Sequence, residues 1–233
     1  MKKQFTLISS SLLLACSSFF TACNKDEAKV YAQLNIVNAS PNAPNLDFWI
    51  DDVKFNSSVL YFGAHEGYLP VVSGTKILKM NTMVNVFNTV IDSTVASSSI
   101  TLSDNKYHTL FVVDSFAKKS TLLVQDNFGT PNDGHAYFRF IQLAPNAPHV
   151  DVAIAGTNTL VYSDLAFKDV TAFKDMYAGV YNLDVRSAGT NTVLYTLPAV
   201  VLNSGKVYTV YTKGFVGQTG KQALSSDVFV NKW

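Results

Sequence analysis

The chain has 233 residues, 48% of them hydrophobic and 15% charged, with 18 basic and 17 acidic side chains for a formal net charge of +1. That length and apolar content support two cores of about 100 residues each and argue against disorder. A charge balance near zero with no basic run in the body excludes phosphate-backbone binding, so nucleic acid is not an expected partner.

The first element is an address. Lys2 and Lys3 precede an apolar stretch from Phe5 to Phe20, and Thr21-Ala22-Cys23 then gives way to the polar Asn24-Lys25-Asp26-Glu27. This order predicts a lipoprotein signal peptide over residues 1–22 and an acylated tether over 23–29. The apolar run is too short and too serine-rich for a transmembrane anchor. Leu13-Leu14-Ala15-Cys16 also fits a lipobox, but cleavage there leaves the apolar Ser17-Ser18-Phe19-Phe20 at the mature terminus. Cys23, at the apolar-to-polar boundary, is therefore the expected lipidation site and Cys16 the alternative. Two or three acyl chains, at about 0.8 kcal/mol per buried CH₂, anchor a protein stably. The lipid bilayer is thus the first expected partner, in the outer membrane of a Gram-negative bacterium, facing the periplasm or the cell surface. In the bacterial lipoproteins this segment resembles, an Asn after the lipidated Cys argues against inner-membrane retention, and lysine-and-acid runs mark some surface proteins. The first feature points to the outer membrane and the second to the surface, a plain solvated tether being the other reading of that run. No cysteine follows residue 23, so the body has no disulfides and depends on core burial.

The body reads as strands: runs rich in Val, Ile, Phe, Tyr and Thr alternate in period two and break at Gly, Pro, Asn and Asp. In the first half they are Val30 to Asn38, Leu46 to Val53, Thr75 to Met80, Val84 to Ile91, Tyr107 to Asp114 and Ser120 to Asp126. Gly, Pro, Asn and Asp crowd between Asn127 and His135, which predicts a linker over 127–135. Strand-like runs then resume; Ala166 to Tyr177 comes nearest to a helical stripe and is short and interrupted. The expected fold is all-β, two tandem Ig-like or transthyretin-like antiparallel β-sandwich domains over 30–126 and 136–233.

The two halves repeat each other. Ser40-Pro41-Asn42-Ala43-Pro44-Asn45-Leu46-Asp47 returns as Ala144-Pro145-Asn146-Ala147-Pro148-His149-Val150-Asp151, at an offset of 145 − 41 = 104 residues. Each proline holds φ near −65° and drives its predecessor toward extended geometry. Pro41, Asn42, Pro44 and Asp47, with Pro145, Asn146, Pro148 and Asp151, therefore read as a stiff corner between two strands. The asparagines bridge backbone groups there, and the aspartates accept hydrogen bonds from corner amides. A calcium site formed by Asp47 with Asp51 and Asp52 is disfavoured, because the second copy carries Ala155 and Gly156 at the latter positions. Gly74 and Gly179 each precede a strand and are read as positive-φ turn residues.

Catalytic signatures are missing from the sequence. His65-Glu66 lacks the second zinc-protease histidine, no nucleophile elbow occurs, and Phe215 and Gln222 spoil the phosphate-loop pattern around Gly220-Lys221. Histidines 65, 108, 135 and 149 do not fall at metal-ligand spacing and read as surface or turn residues. No metal and no cofactor is expected. Asp92-Ser93-Thr94 resembles a bacterial O-glycosylation acceptor. Trp49, Tyr61 and Tyr68 are the candidate ligand platform, since aromatic faces stack on sugar rings, although packing is the commoner use of such residues.

The strand followed by Ala-Ser-Pro-Asn-Ala-Pro-Asn-Leu-Asp-Phe-Trp-Ile-Asp from Ala39 to Asp51, the Phe62 to Tyr68 segment and the Ser73-Gly74-Thr75 turn resemble a bacterial family catalogued as a domain of unknown function. Its members carry a His-Ala-Ser-Pro-Asp-Ala-Pro-x-Val-Asp-Val-like signature. The resemblance covers both copies and implies an exported β-sandwich, often a lipoprotein, while supplying no reaction. Here Asn38 and Gln142-Leu143-Ala144 depart from the family pattern. The expected function is a non-enzymatic binding, adhesion or structural module of the cell envelope, with a glycan or an envelope protein as partner. The alternative is a glycan- or polymer-acting hydrolase with a loop-assembled site.

Overall fold

A computed structural model describes residues 28–86 and 89–232; Cys16, Cys23 and the rest of the expected lipoprotein segment lie outside the described residues. The first half folds as β1 (Tyr31–Asn38), β2 (Asp47–Ile50), β3 (Val53–Lys54), β4 (Leu69–Val72), β5 (Gly74–Val86), β6 (Thr89–Leu102), β7 (Tyr107–Val113) and β8 (Ser120–Gln125). The second half contains β9 (His135–Ile141), β10 (Val150–Ile154), β11 (Leu160–Leu165), β12 (Lys174–Tyr177), β13 (Gly179–Ser187), β14 (Val193–Leu202), β15 (Val207–Lys213) and β16 (Ser225–Lys232). The sheets β4-β1-β7-β8 and β3-β2-β5-β6 make one sandwich, and β12-β9-β15-β16 and β11-β10-β13-β14 make the other, with the same strand order. The chain is all-β with two sandwiches, and antiparallel apart from one parallel pair in each, β1 with β7 and β9 with β15.

Alternation along each strand builds the cores. In β2, Phe48 and Ile50 point into the first sandwich, where they meet Leu34, Ile36, Leu110 and Val112 of the facing sheet. The second core is built alike, from Phe138, Phe140, Val152, Val185 and Val210. The intervening residues of the two inner sheets form a third core between the sandwiches, with Val37, Phe111 and Val113 against Ile141, Tyr211 and Phe229. A sheet buried on both faces reads as a continuous apolar run, which is why the end of β7 is apolar on both sides. The molecule is therefore four sheets deep, and the two halves meet across a packed apolar face.

Four sequence readings change. The run Leu46 to Val53 is not one strand, because the chain turns at Asp51 and Asp52 and β3 pairs back antiparallel on β2. Thr75 to Met80 and Val84 to Ile91 are not two strands; they belong to one long hairpin in which Val84 lies opposite Ile91. The polar Asn81 looked like a break, yet its side chain is satisfied across the hairpin, donating to Asp92 at 3.0 Å and accepting from Thr94 at 2.9 Å. His108 is no surface residue: it is 2% exposed, because its side chain alternates onto the core face of β7. Gly74 does adopt positive φ, at 93°, whereas Gly179 does not and lies in the ladder opposite Leu202.

Candidate functional site

The repeated corner carries each half of the chain from its inner sheet to its outer one, from β1 to β2 and from β9 to β10. Asn42 accepts a hydrogen bond from the Phe116 amide at 2.7 Å. Asn146 accepts one from the Val216 amide at 2.8 Å and donates to the Val216 carbonyl at 3.0 Å. Each asparagine thus ties its corner to the loop that leaves the penultimate strand. Asp47 accepts from Asn56 at 2.8 Å and pairs with Lys54 at 3.0 Å, while Asp151 accepts from the amides of Asp164 and Gly189 at 2.8 and 2.9 Å. Their donors come from neighbouring loops and strands rather than from the corner. Asp51 and Asp52 occupy the turn between β2 and β3 with φ of 48° and 67°, a conformation Asp tolerates. They face Lys76 and Lys79 rather than each other. Pro41 is buried, and Pro44 and Pro148 are exposed at the corner surface.

The aromatic candidates do not form one platform. Trp49 alternates with the core residues Phe48 and Ile50, so it lies on the outer face of the first sandwich. Tyr68 is on the opposite side of that sandwich, between the domains. There its hydroxyl donates to Asp126 at 2.7 Å and accepts from Asn231 at 2.8 Å. Tyr61 is 64% exposed and borders the interdomain groove.

That groove is the site that sequence reasoning missed. It runs between the segment carrying His65 and Tyr68 in the first half and β16 in the second. One lobe, about 700 Å³, is lined by Gln33, Asn35, Tyr68, Tyr107, Phe229 and Asn231. A second lobe of about 500 Å³ continues past His65 to Tyr61, Lys213, Ser226 and Asp227. Volumes of a few hundred Å³ with a small set of convergent polar groups are the usual form of a small-ligand site.

The floor of the groove rests on a closed hydrogen-bond ring. Asp126 accepts from Tyr68, from Thr109 at 2.7 Å and from the guanidinium of Arg139. Arg139 Nε donates to Thr209 at 2.8 Å, Thr209 donates to Asn231 at 2.6 Å, and Asn231 returns to Tyr68. Asp126 and Arg139 are fully enclosed, and Arg139 also lies over the Phe173 ring at 4.7 Å. Burial, followed by the Asp126 charge, drives the Tyr68 hydroxyl well above its ordinary pKa, so it remains a donor. Beside the ring, Asn35 is 1% exposed; its Oδ1 accepts from the Gly67 amide at 2.9 Å, which fixes the orientation of the side chain. Its Nδ2 is buried and has no protein partner. The second lobe ends at the Lys213–Asp227 ion pair, 2.6 Å, and the Ser226 hydroxyl there is also buried and unpartnered. His65 packs its ring on Phe229 at 5.3 Å.

A second, more apolar cleft of about 330 Å³ opens between β3 and β4, lined by Tyr31, Ile50, Phe55, Leu69 and Val71. Among the described residues no group of three or more metal-ligating side chains gathers, and no helix is long and apolar enough to cross a membrane.

No curated protein matches the chain. A solved structure of a candidate adhesin from Bacteroides ovatus aligns over 91% of this chain and 96% of its own, at 10% identity and a TM-score of 0.24. The family model that matches spans residues 32–153, from the start of β1 into β10 and just over half of the chain. The chain belongs to the family described as domain of unknown function DUF4397.

Proposed function

We propose that this protein is a non-enzymatic binding module of the cell envelope that takes its ligand in the groove between its two sandwiches. The observation that carries this reading is the groove itself, a preformed cleft of about 700 Å³ built by both halves and floored by enclosed polar side chains. Because apolar packing and the Asp126–Arg139 pair hold the halves in one pose, the ligand meets rigid walls, which lowers the ordering cost of binding.

Catalysis is disfavoured by what the carboxylates are doing. Glycoside hydrolysis needs two carboxyl groups free to act across one bond. Asp126 is consumed by three donors, and Asp227 pairs with Lys213. The N-terminal sequence supports lipid anchoring at Cys23 on the outer membrane, with display on the outer surface. Palmitate labelling that fails in Cys23→Ser but persists in Cys16→Ser tests the anchor. Protease added to intact cells tests display, and protection of the protein until lysis would overturn it.

The groove assignment is tested by screening a fragment library of neutral, acidic, basic and apolar compounds against the isotope-labelled protein. Shifts confined to Asn35, Tyr107 and the β16 backbone are expected. Hits confined to the apolar cleft between β3 and β4 would overturn it.

A further inference from the structure

Matching strand registers make the two sides of the interdomain face directly comparable. Asn35 of β1 lies opposite Thr109, and Arg139 of β9 lies opposite Thr209. Asp126 follows by two residues the partner of Thr109, which is Val124; Asn231 follows by two residues the partner of Thr209, which is Phe229. Tyr68 directly precedes Leu69, the partner of Leu34, as Phe173 precedes Lys174, the partner of Phe138. Asn35, Asn231 and Tyr68 are thus the counterparts of Arg139, Asp126 and Phe173.

On one side these positions hold a long cation over an aromatic ring, paired with an enclosed anion. On the other, both charges are replaced by primary amides, and the shorter Asn35 borders the open groove. The groove is therefore floored by neutral groups that both donate and accept. Asn35 keeps an unpartnered buried N–H donor there, and Gln33 adds a third amide. Tyr107, 40% exposed, forms part of the wall, and its ring is held edge-on by Tyr68 at 5.1 Å and braced by Phe128 at 5.1 Å. Amides match vicinal hydroxyls, which donate and accept together, and a fixed aromatic face matches the apolar face of a sugar ring. A charged ligand in this lobe would instead sit beside amides and His65, whose pKa burial lowers, because Lys213 and Asp227 in the second lobe are already paired with each other; its charge would carry a desolvation cost.

We infer that the groove binds a neutral, hydroxyl-rich ligand, a saccharide, hydrogen-bonded by Asn35, Gln33 and Asn231 and stacked on Tyr107. This rests on the groove being the binding site, and it adds the chemical class of the ligand.

The test is an array carrying neutral hexose and N-acetylhexosamine oligomers, uronate- and sialate-bearing oligomers, and peptides, probed with the purified full chain and its variants. The expected result is binding to neutral oligomers, weakened about tenfold by Asn35→Leu and by Tyr107→Ala and unchanged by Trp49→Ala, which alters the far face of the first sandwich. Gln33→Ala provides a milder variant at a less enclosed position, and melting curves on each variant separate lost binding from lost folding. Binding only to acidic oligomers or peptides, weakened by the same groove substitutions, would overturn the neutral saccharide and keep the groove. Neutral-oligomer binding indifferent to every groove substitution would overturn the groove. No binding to neutral oligomers would overturn the saccharide inference, leaving the groove to the fragment screen.

Discussion

Phe111 and Tyr211 hold the same register position in the two sandwiches, opposite Val37 and Ile141, and they meet each other edge-on with ring centroids 5.7 Å apart. Equivalent residues touch in this way when two like surfaces pack isologously, as in a two-fold dimer. The halves therefore behave as a covalent pseudo-dimer whose contact face is part of the fold. Phe111→Ala removes a fully buried ring from this third core and should cost about 3–5 kcal/mol. Calorimetry should then show two transitions where the parent shows one, because the halves uncouple. A single transition that merely moves down in temperature would contradict the uncoupling.

The Asp126–Arg139 pair gives a prediction of a different kind. Arg139→Leu leaves a carboxylate enclosed without its cation and should lose about 3–5 kcal/mol in denaturant unfolding. Replacing both residues by leucine should lose less, since no orphaned charge remains. Equal losses in the single and double variants would show that the pair is not coupled.

The corner asparagines act through the loops they hold. Asn146→Ala removes two hydrogen bonds to Val216 and should cost about 1–2 kcal/mol, against about 1 kcal/mol for Asn42→Ala, which loses the single bond to Phe116. Hydrogen exchange at the Val216 and Phe116 amides should rise in the respective variants. Unchanged protection would mean the loops are held by other contacts.

Gly214 sits at φ 86°, and a Cβ there would lie 2.1 Å from the Ala223 carbonyl oxygen. No side chain fits without moving backbone, so Gly214→Ala should destabilise by about 1–3 kcal/mol or more. Gly134→Ala has positive φ but open space around the site, and should cost less. The ratio of the two losses checks the steric argument.

His108 sets a pH dependence. Burial lowers its pKa from the ordinary value of 6.5, against the opposing pull of the Asp126 charge. The unfolded chain therefore takes up the proton first as pH falls. Stability from this group is level above about pH 6.5 and declines as pH drops from there toward the folded pKa. Melting temperatures at about pH 7.5 and about pH 5.5 should differ in the parent and differ less in His108→Gln, since most carboxylates stay ionised over that window. An identical acid drop in the variant would assign the effect elsewhere.

Strand positions were legible in the sequence because a half-buried strand must alternate, and alternation survives in the residues. Where satisfaction of polar groups crosses from one strand to the next, the pattern misleads. Asn81 falls in the gap between two strand-like runs until the hairpin pairs its side chain with Asp92 and Thr94. Likewise, nothing local distinguishes the inward side of β7, where His108 is enclosed, from its other face. The groove left its trace in the sequence as the replacement of Arg139 by Asn35 and of Asp126 by Asn231 at equivalent positions of the repeat. A lone Asn in a strand carries no meaning until the space beside it is known.

The sequence by itself determined an all-β chain, its two similar halves and the proline corners, because these depend on dihedral restrictions and on the period of apolar residues along one segment. Only the tertiary structure decided that Trp49 and Tyr68 face opposite sides of a sandwich, that the two halves share a third core, and that residues around 35, 68, 107 and 230 enclose one groove. Those outcomes depend on which face of each sheet meets its neighbour, a choice made by packing between segments far apart in the chain.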